Sequence, residues 1–220
     1  MKIEIFIPES LSEIRLSQYK RYTNLDFEAD QDFLMRKTLD IFCGVKDVLK
    51  VRYKDLKRVN LAIENCLSQD VRLQNTFIYK DVEYGLIPNL SEITFGEFID
   101  LDTYFNWEQM EKAMSVLYRP VVKNVKHFYE IEEYNGSHSD FLDLPMDIVQ
   151  GVVVFFWSLA SKLSLHFLQY SAEGKPTLSA QDTNSAGSGD GLAASMRSLM
   201  EILPSTKPSA IYPLRNVLTS

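Results

Sequence analysis

Three carboxylates, Glu97, Asp100 and Asp102, crowd the stretch "TFGEFIDLD" (94–102), the closest this 220-residue chain comes to a set of oxygen ligands for a hard cation. The stretch lacks the glycine turn and acidic spacing of an EF-hand loop, so these groups read as solvated carboxylates around a helix start. His127, His138 and His166 fall in strand, turn and core-helix contexts, and none is spaced like a metal-binding pair. "GSGDG" (187–191) is glycine-rich, yet no strand precedes it and no Lys follows in the phosphate-binding position. No nucleophile elbow occurs either. The expectation is a non-enzymatic chain with no catalytic residues, no metal ligands and no cofactor.

What Thr94 and Glu97 do carry is the spacing T-x-x-E. The Thr hydroxyl can accept the backbone N–H three residues on while the Glu carboxylate reaches back to the Thr N–H, a helix-capping motif. It sits inside "IPNLSEITFGEFIDLDTY" (87–104), which echoes "IPESLSEIRLSQYKRYTNLD" (7–26) once one residue is dropped from the earlier copy. Arg15 and Gln18 stand at the corresponding places, so the earlier copy has no capping hydroxyl. The shared letters read as a signal for passing from a strand into a helix. The second copy marks where a binding edge is to be sought, and the first is a structural rhyme.

The elements around these motifs predict an α+β fold, a predominantly helical body with a few short strands. "KIEIFI" (2–7) alternates as a strand does and stops at Pro8. Helices are expected over Leu16–Thr23, from an Asp30 or Asp32 cap through Phe42 with Gly44 as the stop, and near 53–67, where Leu56, Val59, Ile63, Cys66 and Leu67 share a face. "TFIYKDVEYGLIP" (76–88) predicts a hairpin turning at Lys80-Asp81. Asn106 is expected to cap a helix over 107–118 with Trp107, Met110, Met114, Leu117 and Tyr118 on one face and Pro120 beyond its end. "VKHFYEIEEY" (125–134) predicts a strand, and the apolar run from Pro145 predicts a long central core helix near 145–171, too interrupted by Asp147, Gln150, Lys162 and His166 for a membrane span.

Hydrophobic residues make up 45%, aromatics 12% and charged residues 24%, a globular balance. Twenty-three basic against thirty acidic side chains give −7, which disfavours attraction to nucleic acid or an anionic membrane. The basic run "KVRYKDLKR" (50–58) reads as a solvated helix face. Cys43 and Cys66 show no metal or CxxC spacing and suit buried reduced thiols of an intracellular protein, with a disulfide between them left open. The N-terminus lacks the long apolar stretch of a signal peptide.

Composition shifts near residue 172, which divides a body (1–171) from an arm (172–220). A Ser/Gly/Ala-rich linker leads to "GLAASMRSLMEILP", whose Leu192, Met196, Leu199, Met200 and Leu203 form one helical stripe over 192–203, followed by a Pro-broken extended tail. An isolated helix this short is marginal in water, so the stripe needs a surface, either its own body or a partner chain.

Three strings in order, "IPNLSEITFGEFIDLDTY", "KAMSVLYRPV" (112–121) and "LPMDIVQGVVVFFWSL" (144–159), resemble virion-morphogenesis proteins of tailed bacteriophages, of the tail assembly chaperone-like kind. That resemblance covers the body and implies action through protein–protein contacts with the tape measure or tail tube protein, in the bacterial host cytoplasm during assembly. The alternative it leaves open is a permanent structural virion protein at the head–tail connector, baseplate or capsid interior, its arm binding neighbouring subunits. Homo-oligomerisation suits both; nucleic acid and membrane partners suit neither.

Overall fold

The computed structural model describes residues 5–125 and 128–172, with side chains as far as Lys162. Among these residues the helices are α1 (Leu16–Thr23), α2 (Gln31–Cys43), α3 (Tyr53–Leu67), α4 (Phe95–Tyr104), α5 (Met110–Leu117) and α6 (Met146–Ala172). The strands β1 (Thr76–Tyr79), β2 (Val82–Leu86), β3 (Tyr118–Val125) and β4 (Phe128–Ile131) form an antiparallel sheet in the order β1-β2-β3-β4. The expected α+β architecture is therefore observed. No helix among the described residues is long and apolar enough to cross a membrane.

Local chemistry accounts for most boundaries. The Asp30 carboxylate caps α2 by accepting the N–H groups of Asp32 at 3.1 Å and Phe33 at 3.3 Å, and Gly44 ends it in the left-handed conformation at φ 67°. Tyr79 pairs with Val82 around Lys80 and Asp81, both at positive φ, so the hairpin turns where the sequence places it. One face of α6 supplies Met146, Val149, Val152, Val153 and Phe156 to the core, where they meet side chains from the helices and from β1 and β2. Burying each such large apolar side chain is worth about 1.5–3 kcal/mol.

Helix starts leave backbone N–H groups without intrahelical partners. Here two starts satisfy each other: Leu16 and Ser17 donate to the carbonyls of Leu144 (2.9 Å) and Leu142 (2.8 Å), while Met146 donates to that of Ile14 (2.8 Å). The first echo thus ties α1 to the start of α6. Both "LSE" triplets form single 3₁₀ turns, Leu11–Glu13 and Leu90–Glu92, each followed after two residues by a helix. In both, the residue at the third helical position accepts the N–H of the cap residue: Gln18 from Arg15 at 2.9 Å, Glu97 from Thr94 at 2.6 Å. Burial separates the copies, since Ile14 and Leu16 lie in the core whereas Phe95 is 77% exposed.

Four expectations need correction. Residues 5–7 are not a strand, and the rest of the expected strand lies outside the described residues. The 107–118 helix begins at Met110, because the Asn106 side chain accepts the Gln109 N–H at 3.0 Å and closes a turn before the helix instead of capping it. That helix also ends one residue early. Tyr118 opens β3 with no intervening loop, and Pro120, expected beyond the helix, lies within the strand opposite Tyr84. Finally, 125–134 is not one strand: Val125 ends β3 and pairs with Phe128 of β4, the register shifting between Val121 and Lys123.

The linker and the stripe Leu192, Met196, Leu199, Met200 and Leu203 lie outside the described residues.

Candidate functional site

A cleft of about 940 Å³ opens between the loop after β2, the start of α4 and the chain from β4 to Tyr134. Thr94 and Glu97 of the second echo and Arg119 of β3 line its floor. Glu97 is held from three directions. Its carboxylate accepts the Thr94 N–H at 2.6 Å and the Thr94 hydroxyl at 2.8 Å, and its other oxygen pairs with the Arg119 guanidinium. Burial alone would push the Glu97 carboxyl up, but the Thr94 hydrogen bonds and the Arg119 charge outweigh it and hold it below the usual value. The T-x-x-E motif therefore caps α4, with the Glu97 N–H returning to the Thr94 hydroxyl at 3.3 Å, and it fixes an ion pair in the cleft floor as well.

Aromatic side chains build the wall. The Arg119 guanidinium lies 5.7 Å from the centre of the Tyr134 ring, and the Tyr134 hydroxyl donates to Asp100. Burial, and then that hydrogen bond and the Asp100 charge, push the Tyr134 phenol well above its ordinary value, so it stays a donor. Tyr129 reaches from β4 across Gly85 of β2, where any Cβ would meet the ring at 2.6 Å. Its hydroxyl donates to the Leu86 carbonyl at 2.8 Å, fastening β4 over the end of β2. The rim is acidic: Glu92, Glu130, Glu132 and Glu133 are exposed lining residues, and Phe128 adds an apolar edge at 58% exposure.

The carboxylates singled out from the sequence do not converge. Glu97 is committed to Arg119 and Asp100 to Tyr134, and no group of three or more His, Cys, Asp or Glu side chains among the described residues could hold a metal ion. His138 is exposed, with Nδ1 2.9 Å from the hydroxyl of buried Ser115. The same hydroxyl lies 2.7 Å from the Lys112 carbonyl, to which it can donate. His127 and the side chain of His166 lie outside the described part of the chain. Cys43 and Cys66 are both free thiols.

Arg119, Tyr129 and Tyr134 escaped the sequence reading. The helix expected over 107–118 puts Arg119 just past its end, and only its strand position opposite Gly85 turns it toward Glu97. The aromatic-acidic alternation of "FYEIEEY" was the available signal for the other wall.

No known protein family, characterised protein or solved structure matches the chain.

Proposed function

We propose that the chain is a non-enzymatic assembly protein of a tailed bacteriophage, acting as a tail assembly chaperone through protein–protein contacts at the cleft. The observation that carries this reading is the convergence of two of the phage-like strings on one open, acid-rimmed and aromatic-walled groove. The 87–104 string supplies Thr94 and Glu97, and the 112–121 string supplies Arg119. Among the described lining residues the one cation, Arg119, is already paired to Glu97, and with Glu130 paired to Lys123 at 3.2 Å the groove presents the carboxylates of Glu92, Glu132 and Glu133 and the rings to whatever enters. An extended segment of a partner protein that carries basic and apolar side chains fits that chemistry, the carboxylates steering it and the rings burying it.

On this reading the chain works in the host cytoplasm while particles form, shielding an aggregation-prone segment of the tape measure or tail tube protein until it is built into the tail. Mass spectrometry of purified virions beside the lysate that produced them tests this. The chain is expected to be abundant in the lysate and missing from the particles. Stoichiometric presence in mature virions would overturn the chaperone reading in favour of a permanent virion component.

A further inference from the structure

The basic run around the start of α3 faces solvent, and it is not purely basic. Six cations, Lys46, Lys50, Arg52, Lys54, Lys57 and Arg58, are exposed within residues 46–58, against two carboxylates, Asp47 and Asp55. Lys50 pairs with Asp47 and Arg58 with Asp55, which leaves Lys46, Arg52 and Lys54 without a carboxylate among the described residues. Lys57 lies over the Tyr53 ring, 4.9 Å from its centre. Leu49, in the single 3₁₀ turn Val48–Lys50, is 82% exposed, and Tyr53 at the start of α3 is 57% exposed. In a chain of net charge −7 this is a compact cationic surface from which two large apolar side chains project.

The cleft is its complement. The carboxylates of Glu92, Glu132 and Glu133 are exposed along its rim and pair with no cation among the described residues, and Phe128 stands exposed at its edge. No described residue of 46–58 lines the cleft, so the chain does not fill its own groove with this segment.

We propose that residues 46–58 of one copy dock in the cleft of a second copy, Leu49 and Tyr53 packing on its rings while Arg52 and Lys54 face its rim carboxylates. Charge complementarity selects this occupant, because the cationic and apolar chemistry that suits the groove is already present on the chain's own surface. The net charge of −7 and the interleaved Asp47 and Asp55 work against nucleic acid as the ligand of the patch. The contact joins two different surfaces, so each copy offers one patch and one cleft. It uses the chemistry of the cleft without assuming what the chain assembles with; on the phage reading, a partner segment of like chemistry displaces the second copy.

Sedimentation velocity of the full chain over a concentration series tests this. The mean mass is expected to rise with concentration and to return to the monomer as salt goes from about 0.1 M to about 1 M, where the Debye length falls from about 10 Å to about 3 Å. Arg52→Glu with Lys54→Glu reverses the patch and places acid at the start of α3, where a helix favours it. Glu132→Lys with Glu133→Lys reverses the rim at exposed positions. Each variant alone is expected to self-associate at least about tenfold more weakly than the parent. An equimolar mixture of the two is expected to regain the parent's affinity to within about threefold, because reversed patch meets reversed rim and the native pair still meets. A parent that stays monomeric up to about 1 mM overturns the proposal, as does either variant associating like the parent or a mixture no tighter than its components. Binding of a labelled oligonucleotide by the parent and not by the patch variant would assign the patch to nucleic acid and equally overturn it.

Discussion

The Arg119 guanidinium of β3 lies against the Glu97 carboxylate of α4 in the floor of the cleft, the two side chains being only 13% and 5% exposed. A charge pair so withdrawn from water is held by its partners: neither member tolerates loss of the other. Glu97→Gln is expected to destabilise the chain by about 3–5 kcal/mol at neutral pH, since it leaves the guanidinium buried without a counter-charge. Replacing both, as Glu97→Leu with Arg119→Met, is expected to recover much of that loss. Urea midpoints of the three chains check this.

The same carboxylate sets an acid limb. Its folded value lies below the ordinary one, so the unfolded chain takes up the proton first as pH falls. The stabilisation is therefore complete above the unfolded value of about 4.3 and is lost as pH drops through the folded value. Urea titrations from pH 6 to pH 2.5 are expected to show a shallower decline for Glu97→Gln than for the parent. Parallel declines would show that Glu97 does not titrate as its partners require.

Legibility in the sequence followed the range of the interactions. The cap at Asp30, the stop at Gly44, the turn at Lys80-Asp81 and the Thr94–Glu97 box are each decided within a few residues, and each stands where local chemistry puts it. The boundary at Leu117–Tyr118 was not legible, because an apolar helix running straight into a strand offers no polar or glycine punctuation. What ends the helix is pairing of Tyr118 with Leu86, a residue some thirty positions earlier. The cleft follows the same rule. Its helical wall could be read from T-x-x-E, whereas Arg119 and Tyr134 reach it only through sheet register and the fold of the chain after β4.

The β1–β2 turn places two residues with side chains at positive φ, Lys80 at 49° and Asp81 at 63°. Each such residue gives up about 1–2 kcal/mol relative to glycine's freedom there. Asp81→Gly is expected to raise stability by about 1 kcal/mol. Lys80→Gly gains less, because the Lys80 amine bonds the Asp140 carboxylate at 3.2 Å. Thermal melts of the two variants rank these effects.

Two helical glycines have opposite surroundings. A Cβ on Gly151 of α6 would lie 2.7 Å from the backbone carbonyl oxygen of Arg72, so Gly151→Ala must push that segment off the helix. A loss of about 1–3 kcal/mol is expected. A Cβ on Gly96 of α4 would meet nothing nearer than the Tyr134 ring at 3.9 Å, and Gly96→Ala is expected to gain up to about 1 kcal/mol from reduced freedom of the unfolded chain. Chemical denaturation of both variants tests whether close approach or helix propensity governs each site.

Burial pushes the thiols of Cys43 and Cys66 up to about 11, with the nearby Glu13 charge adding to the effect at Cys66. Only the thiolate attacks an alkylating reagent, and a free thiol ionises near pH 8.5. At pH 8 the folded chain therefore holds roughly two-hundredfold less thiolate at each site than an unstructured peptide does. Alkylation by iodoacetamide is expected to slow by about that factor and to climb tenfold per pH unit up to about pH 10, with the restraint vanishing in denaturing urea. Rates followed by mass spectrometry at both sites check this. A thiol that reacts fast in the folded chain at pH 7 would mean that its helix, α2 for Cys43 or α3 for Cys66, opens more readily than its packing against the core implies.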